Sequence, residues 1–404
     1  MSLFHPLEVL WCRSFQAVLK IGNYFLGYHT PEYLEGAGIV RTLGAFLKEK
    51  DINDVLVVTG QGMIARGQVQ PMLDGFRENH IRYTIAAFDR SDPDSADVER
   101  GYGFFREGGC KAIVAIGGGS RIDCAKAIAA KAAHPKKTVA RLQGILTVHK
   151  RIVPLIAIPT TAGAGSETTV AAVVTDTATH RKAAINDPSL TPKYAVLDPE
   201  LTVSLPPYTT AATGMDALAH AVEAFVNQTY NTPLENRLAK EAVRLIHGNI
   251  HTVCADGSNI TARQNMQKAA FYAGRAFTRG CVGYVHAIGH TLGSLYGIDH
   301  GTAMAVLLPR VMGTFGAAAH PRLAELAEVC GLEGSTAEEK ATAFLNWIED
   351  TNRSLGLPEA FPMIQDAHIP QMIRWARKEA HPLYPVPVIW TDADFRSFIR
   401  GLQK

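Results

Sequence analysis

The double proline Pro206-Pro207 divides this chain into two stretches with different hydrophobic periods. Upstream, over residues 30–205, short apolar runs alternate with helical patterns. DVLVVTG (54–60), YTIAAF (83–88), KAIVAIGGG (111–119) and PLIAIPTT (154–161) are continuous apolar runs closed by Gly, Asp or Thr. Strands buried on both faces of a parallel sheet read this way, because neither face needs polar residues. Between them, stretches such as DSADVERGYGFFREGG (94–109) carry a helical period. The alternation predicts a doubly wound, mostly parallel α/β domain that binds its ligand at the carboxyl ends of the strands. AAVVTDTATHRKAAINDP (171–188) alternates and carries turn residues, and so reads as a hairpin. From residue 208 onward helical periods dominate and no strand signal is strong, so residues 206–404 are expected to form an all-helical domain.

At 404 residues the length suits two or three domains. With 47% hydrophobic residues the chain can bury a large core, and its formal net charge of +2 gives no reason to expect nucleic acid. No basic run or aromatic-basic interleaving occurs. Six cysteines without a CxxC pair or framework spacing point to a reduced, cytoplasmic protein without disulfides. No stretch approaches the ~18 uninterrupted apolar residues of a membrane span. Residues 1–29 form an extension in which LEVLWCRSFQAVLKIGNYFL is apolar-rich but interrupted by Glu8, Arg13 and Lys20. It lacks the small-residue cleavage site of a secretory signal. An amphipathic helix covering an apolar surface is expected, with a peripheral membrane anchor as the alternative.

AIVAIGGGSRIDCAKAIAAKAA runs strand, glycine turn, helix. Gly118 and Gly119 let the backbone approach a ligand, Ser120 is placed as the N-cap, and Asp123 suits the first turn. Free N–H groups at such a terminus form a pyrophosphate site. The stretch is neither GxGxxG nor a Walker loop, and a plain strand-to-helix turn explains it about as well. A second glycine segment, IPTTAGAGSETT (158–169), puts Thr160 and Thr161 at the end of another strand. Two such loops at adjacent strand ends suggest a dinucleotide crevice more than either alone.

The helical half carries histidines at telling intervals. Asp216 and His220 are four apart in GMDALAHAVEAF (214–225), as are His286 and His290 in GYVHAIGHTLGSLYGIDHGTA (283–303), with His300 downstream. Residues i and i+4 share a helix face, so each pair can address one centre. A single pair is weak evidence, since fifteen histidines give about half an HxxxH pair by chance. His247 and His251 form another, with no carboxylate in register, and read as a surface helix end. The 286–300 segment is set among small and apolar residues, where buried imidazoles need partners and a divalent metal supplies them. One carboxylate and three imidazoles suit Fe(II), Zn(II), Co(II) or Mn(II) alike.

These motifs carry a resemblance. GAG (36–38), GGGSRIDCAK (117–126), PTTAGAGSE (159–167), DPELTVSLPP (198–207), GMDALAHAVEAF (214–225) and VHAIGHTLGSLYGIDHG (285–301) occur in order, and the chain from about residue 30 resembles the iron-containing (group III) alcohol dehydrogenases. The resemblance implies Asp216, His220, His286 and His300 as metal ligands, with Fe2+ as the metal and Zn2+ or another divalent ion as the alternative. It implies His290 as a catalytic companion beside the nicotinamide, acting as proton relay or orienting group. Gly118, Gly119 and Ser120, with Asp123 close by, match its pyrophosphate loop. Thr160, Thr161 and Lys182, and then Leu201 and Thr202, match cofactor-lining positions, and Phe277 matches a substrate-pocket aromatic. The implied activity is hydride transfer between a small alcohol or aldehyde and NAD(H) or NADP(H), in a homodimer or higher homo-oligomer.

The chain also departs from the pattern. Gly60 stands where many NAD-using members carry an Asp that holds the ribose hydroxyls, so a 2′-phosphate is no longer repelled and the reading leans toward NADP(H). Arg66 is near in sequence. Asp92 replaces the usual Asn before Pro93, and Arg279 is unusual for an apolar alcohol pocket, where it serves an acidic substrate or pairs with a carboxylate elsewhere. A lyase of the dehydroquinate synthase type is disfavoured by the ligand set, as is a glycerol dehydrogenase. A catalytically silent nucleotide-binding scaffold is disfavoured because no ligand is missing.

Overall fold

A computed structural model of the chain describes residues 5–89, 93–177 and 182–404. Their contacts divide into two compact units: residues 27–205 with 258–267, and residues 1–26 with 206–257 and 268–404.

The first unit is built on β1 (Glu32–Glu35), β2 (Asp54–Gly60), β3 (Arg82–Phe88), β4 (Ala112–Gly117), β5 (Gly144–Ile145), β6 (Leu155–Pro159), β7 (Ala171–Thr175), β8 (Lys182–Asn186) and β9 (Tyr194–Leu197). Six of these form one sheet in the order β1-β9-β6-β4-β2-β3, parallel throughout. Successive residues of a strand feed opposite cores. Leu56 and Val58 pack with Ile113, Ala157 and the helix residues Ile122 and Ile128. Val55 and Val57 pack with Val114, Ile156, Leu47 and Phe76 on the other face. The sheet is therefore covered on both sides, which is why its central strands lack alternation. Of the hairpin expected over 171–188, the two strands are present, β7 and β8 pairing antiparallel, while its connection at 178–181 lies outside the described residues; β5 joins β8. The four-residue strands β1 and β9 fall outside the apolar runs named from sequence.

The second unit is helical. Pro207 opens a helix to Val226, as a proline at N1 can, since it lacks a hydrogen that would have no partner there. That helix is buried nearly all round and packs against the Pro233–Ala255 and His300–Thr314 helices. Gly297, with φ +66°, ends the Tyr284–Tyr296 helix, and Asp299 caps the next by accepting the Thr302 N–H at 3.1 Å. A side chain at Gly301 would lie 2.3 Å from the Ala212 carbonyl, so glycine is what lets the His300 helix lie against the Asp216 helix.

The N-terminal helix, His5–Phe25, belongs to this helical unit, and its orientation corrects the expectation from sequence. It docks by its polar face. Arg13 donates to the carbonyls of Val386 and Pro387 at 2.8 and 2.9 Å, and Gln16 to those of Pro382 and Tyr384, both at 3.0 Å. Glu8 pairs with Arg377 and His381. The 381–387 segment is proline-rich and irregular, so its carbonyls need donors from outside their own element. Seven large apolar side chains of the helix, from Leu7 to Phe25, face outward. Among the described residues no helix is long and apolar enough to cross a membrane, and all six cysteines are free.

Candidate metal centre and nucleotide loops

Asp216 and His220 lie one turn apart on the Pro207–Val226 helix, both buried. His286 enters from the first turn of the Tyr284–Tyr296 helix, and His300 opens the next helix. Donor atoms of Asp216, His286 and His300 all lie within 4.8 Å of one another. From Asp216 Oδ1, His300 Nε2 is 3.3 Å away, His220 Nδ1 3.7 Å and His286 Nε2 3.8 Å. His220 stands outside the three-residue set. Its ring stacks between His286, at 4.4 Å, and Phe277, at 4.1 Å.

Three of these atoms, Asp216 Oδ1, His220 Nδ1 and His286 Nε2, are buried without a hydrogen-bond partner. Buried polar atoms are rarely left so, and here they face one another. Burial opposes ionisation of Asp216, but the surrounding histidines outweigh it and hold the carboxyl well below its ordinary range. Burial pulls His220 down to about 3 and His286 well below its ordinary value. Asp216 therefore presents a carboxylate, and His220 and His286 neutral imidazoles, the forms that bind a cation. It fits a divalent transition metal.

Glu223, which sequence reasoning missed, completes the centre. Its Oε2 lies 2.5 Å from His286 Nδ1, and its Oε1 accepts the Val285 N–H at 2.8 Å. One carboxyl thus orients the imidazole and caps the helix that carries it. Burial pushes it up to about 7, against the pull of the Gly283 and Val285 N–H groups. Its position seven residues after Asp216, on the same helix face, is the signal that was available.

His290 stands beside the centre, its ring 5.3 Å from that of His300 and stacked on it. Its Nδ1 is 2.8 Å from Glu379 Oε1, which also accepts the Tyr384 hydroxyl at 3.0 Å. Burial raises Glu379, but these partners outweigh it and hold the carboxyl below its ordinary range. The pair leaves His290 Nε2 free of this contact, on a side chain 47% exposed. Arg279 donates to the Tyr230 carbonyl at 3.0 Å, and His251 Nε2 meets Thr351 Oγ1 at 3.5 Å, away from the metal set.

In the α/β unit, the two glycine loops come together. Thr160 donates its N–H to the Gly117 carbonyl at 3.0 Å, and Thr161 flanks Gly118. A side chain at Gly119 would lie 3.0 Å from Ser166 Oγ. Ser120 is not the N-cap: Gly118 takes that place, in extended conformation and with no side-chain cap, and the helix begins at Gly119. The helix thus starts two residues earlier than a cap at Ser120 would place it. Asp123 does not cap either; it accepts the Val173 N–H at 3.0 Å and ties the helix to β7. Lys126 extends the tie, donating to the Thr169 and Ala171 carbonyls, and burial brings its ammonium down to about 8. Leu201 packs into the core and the Thr202 hydroxyl is bonded to the Pro199 carbonyl, so both turn inward. Lys182 begins β8; its side chain and Asp92 lie outside the described residues.

Gly60 caps the helix after β2. Arg66 is held by Gln68, but Arg121 lies beside Gly60, its Nε 3.8 Å from where a side chain would begin. Arg121 is 7% exposed and its Nη1 has no partner.

The profile described as iron-containing alcohol dehydrogenase matches residues 30–199, and that of the Fe-containing alcohol dehydrogenase family C-terminal region matches 210–392. The chain belongs to the iron-containing alcohol dehydrogenase family. It is 38% identical to the NAD-dependent methanol dehydrogenase of Bacillus methanolicus over 346 residues, covering 84% of this chain and 88% of that one. It is 38% identical to the 1,3-propanediol dehydrogenase of Klebsiella pneumoniae over 338 residues, covering 81% and 85%. A crystal structure of 1,3-propanediol oxidoreductase superposes with a TM-score of 0.88 at 33% identity, over 94% of this chain and 100% of that one. This alcohol dehydrogenase is a metal-dependent oxidoreductase, moving hydride between an alcohol or aldehyde and a nicotinamide.

Proposed function

We propose that this enzyme interconverts a small primary alcohol and its aldehyde, using Fe2+ held by Asp216, His220, His286 and His300. The unpartnered buried donors of Asp216, His220 and His286 carry this reading, since a cation is what such a set lacks. The names of the methanol and 1,3-propanediol relatives support a small substrate. His220, whose Nδ1 lies 3.7 Å from Asp216 Oδ1, would be the fourth ligand. The metal supplies Lewis-acid polarisation of the substrate oxygen. His290 exchanges the hydroxyl proton through Nε2, while Glu379 holds its Nδ1. Phe277, stacked on His220, forms one wall for the substrate. Gly118, Gly119 and Ser120 offer backbone N–H groups to the pyrophosphate, with Thr160 and Thr161 beside them. The enzyme works in the cytoplasm as a homodimer or higher homo-oligomer.

NADP(H) is the preferred cofactor in this reading, although the methanol dehydrogenase relative is named NAD-dependent. Gly60 removes the repelling carboxylate, and Arg121 brings a partnerless guanidinium nitrogen to the same place. The test is an aldehyde panel on anaerobically iron-loaded enzyme with each cofactor. Arg121→Ala is expected to cut kcat/KM for NADPH at least tenfold and to leave that for NADH within about twofold, a loss of ~1.4 kcal/mol per decade. A strong NADH preference in the unmodified enzyme sinks the cofactor assignment, and no turnover of any aldehyde sinks the reaction.

A further inference from the structure

The N-terminal helix leaves its apolar side uncovered. Leu7, Leu10, Trp11, Val18, Ile21, Tyr24 and Phe25 are 61–85% exposed. They account for seven of the thirteen large hydrophobic side chains exposed among the described residues. The area they present is on the order of 900 Å2, beyond the ~300–600 Å2 of the largest patch on a typical monomer.

We propose that this stripe pairs with the same stripe of a second copy of this chain, in an antiparallel helix pair about a two-fold axis. The proposal rests on the homo-oligomeric reading above and not on the metal chemistry. Three observations select this occupant. Leu7, Trp11, Ser14, Val18, Ile21 and Phe25 are spaced four, three, four, three, four, the interval of a helix–helix seam. The seam is self-complementary when reversed about position 16: Leu7 meets Phe25, Trp11 meets Ile21, and Ser14 meets Val18, so small or medium residues lie at the axis and bulky ones outside. A two-fold contact requires this kind of reversal symmetry. The exposed area also matches the ~800 Å2 that each partner gives to a standard interface. A lipid surface is a poorer match. Lys20 is the one exposed charged side chain on the helix among the described residues, because Arg13 and Glu8 are engaged with the body of the protein.

The experiment is sedimentation velocity on the full-length metal-loaded enzyme across a wide concentration range, with the triple variant Leu10→Glu, Trp11→Glu, Val18→Glu alongside. These three side chains are exposed and none belongs to the metal centre or the nucleotide loops, so dehydrogenase activity reports that the variant is folded. The expected result is that the variant keeps activity while its assembly mass falls by half. The double variant Ser14→Cys, Val18→Cys is expected to form covalent dimers under mild oxidation, whereas Met363→Cys, exposed elsewhere, does not. An unchanged mass in the triple variant, together with no cross-link, overturns the interface while the oligomer stands. A wild-type monomer at all concentrations overturns both. The basic cavity beside Glu8, lined by Arg374, Arg377, Lys378 and Arg396, gives reason for a vesicle arm. Flotation of wild type, but not of the triple variant, with phosphatidylcholine–phosphatidylserine vesicles and no change in mass overturns the proposal in favour of a lipid surface.

Discussion

Glu223 does two jobs with one carboxyl, and the two can be separated. Oε1 accepts from the Val285 N–H and Oε2 faces His286 Nδ1. Glutamine has one acceptor and one donor end, so Glu223→Gln can keep the cap or the imidazole contact but not both. An orienting carboxylate fixes the tautomer of a ligating imidazole and strengthens it as a donor, and its loss typically costs 10–100-fold in metal affinity. Glu223→Gln is therefore expected to weaken Fe2+ or Zn2+ binding by about that factor, measured by competition with a chelator, with far-ultraviolet dichroism unchanged. Unaltered metal affinity would reduce Glu223 to a helix cap. The histidine cluster among small residues drew attention to this region, and the family resemblance selected the four proposed ligands from it. Glu223 was not, because a glutamate on a helix normally faces water, and only the packed helices reveal that this one is buried. Arg121 was hidden for the same reason: nothing in GGGSRID shows that its stem packs over Gly117 and carries the guanidinium to Gly60.

At the scale of elements, Asp187 shows how one side chain joins pieces that sequence reading treats separately. It follows β8, and it accepts the N–H groups of Val148 and His149 at 3.0 Å and of Ser189 at 3.0 Å. Burial pushes its carboxyl up, but these N–H groups outweigh that and leave it below its ordinary value. A folded-state depression of this kind stabilises the fold fully above the unfolded carboxylate value of about 4, and the contribution fades as pH falls below it. Asp187→Asn is expected to lower stability by about 1–3 kcal/mol at pH 7, with the deficit shrinking toward pH 3. Urea melts at pH 3, 4, 5 and 7 measure this; a deficit that stays constant with pH would mean that packing, not charge, holds the loop. The hairpin ending at Asp187 was legible from its alternation. The strands β1 and β9 were not, since four residues are too few to establish a period. The N-terminal helix was legible as a helix, but its orientation depends on carbonyls some 370 positions away, beyond any local pattern.

For the molecule as a whole, the boundary at Pro206-Pro207 was the clearest feature in the sequence, yet the units do not follow it throughout. Residues 258–267 group with the α/β unit and the N-terminal helix with the helical one. Contacts of that kind join segments far apart in sequence, so composition cannot show them. A chain made of two compact units need not unfold in one step, and each ligand then stabilises the transition of the unit that binds it. All four proposed metal ligands lie in the helical unit. Without a cation, that unit keeps a buried carboxylate facing neutral imidazoles with unpartnered nitrogens, a costly arrangement. At free metal near 100 times the dissociation constant, the linkage is worth about 2.7 kcal/mol. For a unit of roughly 200 residues this amounts to about 5–10 °C in midpoint. Chelation is therefore expected to lower one calorimetric transition by that amount and to leave the other in place. Adding back Fe2+ or Zn2+ is expected to restore it. Asp216→Asn, which removes the only anionic ligand, is expected to melt at the same temperature with and without chelator. A wild-type scan that does not move when elemental analysis shows the metal gone would overturn the placement of the metal in this unit.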